Sequence, residues 1–130
     1  LRRVVKKFEG SRVHLSASPL KLRDDMPGKA VAIHKGGLGF SVAAVLAGVP
    51  QVLLHGHEEN WFNAKVIVEA GAGVSARYKD IDANVLSEAI DRVVASSAMH
   101  ERALQLAEEN FEFRNAVPAQ VIAGLAKKFL

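Results

Sequence analysis

The chain has 130 residues, and its 49% hydrophobic and 24% charged composition describes one globular domain rather than a disordered tail or a multidomain assembly. With no cysteine it has no disulfide, thiolate metal site or cysteine nucleophile, which fits a reducing compartment and leads us to expect a cytoplasmic location. Seventeen Lys and Arg against fourteen Asp and Glu leave a surplus of +3, too small and too dispersed for a nucleic-acid surface, and no apolar stretch approaches the roughly 20 residues that cross a bilayer.

In chain order, short β-type runs alternate with longer helical patterns, which predicts parallel strands joined by helices. The start Leu1-Arg2-Arg3 has neither an initiator Met nor a signal-peptide pattern, and residues 1–10 read as the remnant of an upstream helix followed by a turn. Four strands are predicted, over 12–17, 30–33, 51–54 and 73–76, mostly apolar as strands covered on both faces are. Between them, 38–47 and 58–70 read as helices closed by Gly48 and Gly71, with Val49-Pro50 launching the next extended segment. Val85, Leu86, Ala89, Ile90, Val93 and Val94 then share one helix face that packs on the sheet, with Asp82 or Asn84 available to cap it. A charged helix follows over 99–109. The last element, 111–130, reads as an amphipathic helix with Val117, Val121, Ile122, Leu125 and Phe129 in one stripe and Lys127 and Lys128 near its end. So short a sheet leaves an exposed edge unless it pairs with another copy or another chain.

One segment carries chemistry. Ile33-His34-Lys35-Gly36-Gly37-Leu38-Gly39-Phe40-Ser41 runs directly from a predicted strand into a predicted helix. Gly36, Gly37 and Gly39 let the backbone turn sharply and approach a ligand, while the unpaired amides of the helix start face an anion such as phosphate. His34, Lys35 and Ser41 add charge and hydrogen bonds at the carboxyl end of a strand, where open α/β sheets bind ligands. Glycines at such a turn also serve packing alone. The segment is neither a Walker loop nor a dinucleotide fingerprint. Glu59 and Asn60, after the strand ending at Leu54, offer a carboxylate and an amide to hydroxyl groups, although acids at helix starts also occur for dipole reasons. His55, His57, Glu58 and Glu59 have metal-ligating chemistry, but their spacing identifies no third ligand, and no metal site is expected. Trp61 and Phe62 read as packed aromatics, and Arg77, Tyr78 and Lys79 as a solvated loop.

In order and spacing, His34 to Gly39, Leu46 to Gln51, Glu59-Asn60, Asn63-Ala64 and Ala70 to Gly73 resemble the C-terminal, nucleotide-sugar-binding half of the GT-B glycosyltransferases of the UDP-glycosyltransferase-like kind. The resemblance implies a Rossmann-like α/β fold, a truncated GT-B half that forms a single donor-binding domain over 1–130. It implies that His34, Gly36, Gly37, Gly39 and Ser41 hold the donor diphosphate and that Glu59 and Asn60 hold the donor sugar. By the same likeness the chain is part of an enzyme that moves a sugar from a nucleotide-diphosphate carrier to an acceptor hydroxyl, with no cofactor beyond that substrate. No catalytic residue is expected within the chain. The acceptor pocket and base then belong to an N-terminal half or a separate subunit. Departures from the family are Phe40 in place of a small or hydroxylated residue, no carboxylate for ribose at 42–44, His55 in place of proline and Lys35 after His34. With the exposed edge, they frame an alternative, a non-catalytic interaction or oligomerisation module that includes homo-oligomers.

Overall fold

The computed structural model describes residues 6–115 and residue 126. Its elements are α1 (Leu22–Asp25), β1 (Ala32–His34), α2 (Leu38–Ala47), β2 (Gln51–His55), α3 (Glu58–Glu69), β3 (Gly73–Arg77), α4 (Ala83–Val94) and α5 (Ser97–Glu109), with 3-10 turns at Tyr78–Asp80 and Phe111–Phe113. The strands form one parallel sheet in the order β1-β2-β3, with Ala32 opposite Gln51, His34 opposite Leu53 and Gln51 opposite Gly73. Consecutive parallel strands need a crossover, and α2 and α3 supply it, so the loops leaving β1 and β2 open side by side at the carboxyl edge of the sheet.

The expected fourth strand at 12–17 does not form. Those residues are exposed, with bends at 12 and 17, and join no sheet, and a strand without a neighbour has no acceptor for its amides. The strand expected at 30–33 lies slightly later and takes in His34 itself. Residues 6–8 are helical and residues 9–10 form a turn. The stripe from Val117 to Phe129 lies outside the described residues, and Phe111–Phe113 make a 3-10 turn rather than the start of an α-helix. Chain pattern missed α1, a single turn too short to show a period.

Local chemistry accounts for the helix ends. Asp82 caps α4 by accepting from the Val85 amide at 2.8 Å, and Ser96 caps α5 by accepting from Met99 at 3.2 Å. Neither α2 nor α3 has a side-chain cap. Leu53, Ala64, Ile67, Ala72 and Ala103 fill the space on the α3 and α5 side, while Val52, Val74 and Val93 pack with Leu86 and Ala89 beneath α4. Of the face predicted for this helix, Leu86, Ala89 and Val93 cover the sheet, while Val85 and Val94 are exposed. No described helix is long and apolar enough to cross a membrane.

Gly73 is the most crowded of the described glycines, because a Cβ there would run into the backbone carbonyl of Gln51 on the neighbouring strand. Backbone cannot yield as a flexible side chain does. Gly73→Ala is expected to lower stability by about 1–3 kcal/mol, read as a reduced urea midpoint with an unchanged slope.

Candidate functional site

The site is assembled where β1 ends and α2 begins. Ser41 donates its amide to Gly37 at 3.0 Å, the first hydrogen bond of α2. The amides of Gly37, Leu38, Gly39 and Phe40 have no acceptor among the described residues, as expected of an uncapped helix start. Glycine makes this end accessible: above Gly37 and Gly39 a Cβ would meet nothing within 4 Å. Gly36 is different. Its φ of +87° is left-handed, and a Cβ would come within 2.9 Å of the Asn60 carbonyl, so the loop turns tightly against the first turn of α3.

Four hydrogen bonds hold this loop from beneath. His34 Nδ1 accepts from the Gly36 amide at 3.1 Å, and Asn63 Nδ2 donates to the Gly36 carbonyl at 2.9 Å. His34 Nε2 lies 2.8 Å from Gln51 Oε1, and Gln51 Nε2 donates to the Ser41 carbonyl at 3.3 Å. Both imidazole nitrogens are thus engaged within the chain. Phe40 covers the ring, stacked at 4.6 Å between centroids with 26° between planes. That contact gives Phe40 a packing role where a smaller residue was expected.

Burial holds the His34 pKa below its ordinary 6.5, outweighing the hydrogen bond to Gln51, which acts in the opposite direction. A ring that accepts a backbone amide on one nitrogen is neutral, in accord with that direction.

The other expected residues fall into two groups. Asn60 is brought against the glycine loop through its backbone, and Glu59 beside it is exposed at the start of α3, whose first hydrogen bond is Trp61 to His57. Two uncapped helix starts therefore face the same edge. Ser41 sits apart from the open amides: its side chain is buried, its hydroxyl has no partner among the described residues, and it lines an apolar groove of about 370 Å³ with Leu38, Val42, Phe62, Val66 and Phe113.

Among the described residues, no three His, Asp or Glu side chains gather in a set able to hold a metal. The expectation that Trp61 and Phe62 pack inside is corrected, since both are at least half exposed and the Trp61 ring lies under Lys65 at 5.5 Å. Lys35 leans away over Tyr78 at 5.9 Å, while Arg77 pairs with Asp80 at 2.8 Å. Sequence reasoning missed Gln51 and Asn63 as members of this site. Both stood in matched stretches, and the only local sign was a polar residue opening an apolar strand.

The family described as erythromycin biosynthesis protein CIII-like, C-terminal domain, matches residues 11–127. The L-demethylnoviosyl transferase of Streptomyces niveus is 31% identical over 110 residues, covering 85% of this chain and 28% of that protein. The glycosyltransferase SsfS6 of Streptomyces sp. SF2575, solved with thymidine diphosphate, is 31% identical with a TM-score of 0.60, covering 69% of this chain and 23% of that one. The glycosyltransferase VinC, solved with DTDP, shares the fold at a TM-score of 0.74 and 22% identity, covering 96% of this chain and 31% of that one. The chain spans less than a third of the length of these relatives.

Linkage fixes the sign of the pH effect at His34. With a folded pKa below 6.5, the neutral imidazole contributes fully above that value, and the contribution is lost as pH falls from there through the folded pKa. Denaturation between about pH 7.5 and about pH 5 is expected to show stability falling with acid, and His34→Gln is expected to flatten that slope.

Proposed function

The chain belongs to the family of erythromycin biosynthesis protein CIII-like C-terminal domains, and we propose that it binds the diphosphate of a thymidine diphosphate sugar as the donor half of a GT-B glycosyltransferase. The observation that carries this reading is the row of open amides from Gly37 to Phe40, set at a strand end and a helix start in a loop with nothing above it. Thymidine diphosphate is the nucleotide with which SsfS6, a relative 31% identical to this chain, was solved.

In the reaction, the bond between the sugar anomeric carbon and the diphosphate oxygen breaks, the electron pair leaves with the diphosphate, and the acceptor hydroxyl supplies the new bond and gives up a proton. Charge grows on the leaving oxygen. Fixed amide dipoles aimed at that oxygen stabilise the transition state more than the ground state, because they need no reorganisation as the charge develops. Gly37 and Gly39 present these amides, and His34 and Gly36 hold the loop in shape beneath them. Glu59 and Asn60, at the neighbouring helix start, orient the sugar by accepting from and donating to its hydroxyls. Ser41 supports the cradle through its carbonyl, which ties Gln51 to α2. The acceptor pocket and the base that takes the proton lie in polypeptide outside this chain, upstream or in another subunit. On this reading, residues 1–130 are one donor-binding unit, and it works in the cytoplasm where nucleotide sugars are made available.

Titration with thymidine diphosphate, followed by amide NMR, is expected to shift Gly37 to Phe40 saturably, and absence of any saturable shift there rejects the reading. Gly39→Ala separates ligand from fold. Its methyl meets no protein atom and favours the helix by about 0.5–1 kcal/mol, yet it stands where the diphosphate approaches, so stability is expected to hold while affinity drops.

A further inference from the structure

Three hydrogen bonds run from Ser41 to Gly36, and the backbone fixes their polarity at both ends. The Ser41 carbonyl only accepts, so the Gln51 amide turns its NH2 toward it. Gln51 Oε1 then faces His34, and an amide oxygen only accepts, so Nε2 carries the proton. The Gly36 amide only donates, so Nδ1 is the bare nitrogen. One arrangement of protons satisfies every member. A proton on Nδ1 would set donor against donor at Gly36.

We propose that Gln51 is a positioning residue: it holds His34 as the neutral Nε2–H tautomer, whose bare Nδ1 fixes the Gly36 amide and, through it, the shape of the glycine loop. Register makes this possible. Ala32, His34, Gln51 and Leu53 alternate onto one face of the sheet, and the small Ala32 directly across from Gln51 leaves a lane for the longer side chain to reach His34 diagonally. Burial supports it too. Gln51 is 0% exposed between the buried Pro50 and Val52, where an apolar side chain would pack without the cost of desolvating an amide. The amide is instead spent on two hydrogen bonds that lead to the loop. The effect on ligand affinity rests on the donor-binding reading; the tautomer does not.

Nitrogen-15 NMR of the imidazole side chains reads the tautomer directly. In the wild-type chain His34 is expected as Nε2–H with a bare Nδ1. Gln51→Met, close in volume, is expected to mix the two tautomers, move the Gly36 amide resonance and weaken thymidine diphosphate binding about three- to tenfold, the range of one or two modest hydrogen bonds. Val49→Ala loosens the same core without touching the chain of bonds and is expected to change neither the tautomer nor the affinity. An Nδ1–H or doubly protonated His34 in the wild type overturns the proposal, as does an unchanged tautomer in Gln51→Met or a mixed one in Val49→Ala. If the tautomer behaves as expected but thymidine diphosphate never binds, the positioning role stands and the donor-binding reading fails.

Discussion

An amide that is to hold an anion cannot also be spent inside its own fold, and the start of α2 obeys that constraint. Helix starts are usually closed by a side chain, as Asp82 and Ser96 close α4 and α5. At α2 the position before the helix is Gly37, which has no side chain to offer. The open amides there belong mostly to exposed residues, so water satisfies them until a ligand arrives and the cost of leaving them uncapped stays modest.

Open amides serve an anion only if they point in fixed directions, and the sheet supplies that rigidity. β1 and β2 run parallel and in register, which places His34 diagonally above Gln51 and brings the starts of α2 and α3 to one edge. The loop is then held at Gly36 from two sides, by imidazole through its amide and by Asn63 through its carbonyl. Burial favours the neutral imidazole, the state in which it accepts from Gly36, and Phe40 stacks on the ring. The polar residues beneath the loop and the exposed glycines above it divide the work: the first set shape, the second allow approach.

Much of this was legible in the sequence. The helix after the glycines, the glycine ends, the cap at Asp82 and the position of the loop at a strand end follow from local patterns that depend on a few consecutive residues. What failed depended on neighbours distant in the chain. Residues 12–17 have the composition of a strand, but pairing decides whether a strand exists, and composition does not reveal the partner. Gln51 and Asn63 were overlooked for the same reason, since each reaches a residue 17 or 27 positions away. His34 was legible as a member of the site, though its role as an acceptor for Gly36 needed the geometry. Trp61 and Phe62 read as core aromatics because hydrophobicity was visible and the orientation of α3 was not.

The central claim is that backbone amides of Gly37 to Phe40, held by the Gln51–His34–Gly36 connection, receive a diphosphate. A crystal structure of the chain with thymidine diphosphate tests it most directly. Phosphate oxygens are expected within hydrogen-bond distance of those amides, with His34 still joined to Gln51 and Gly36. A diphosphate bound elsewhere, or bound there with His34 swung away from both partners, would contradict it.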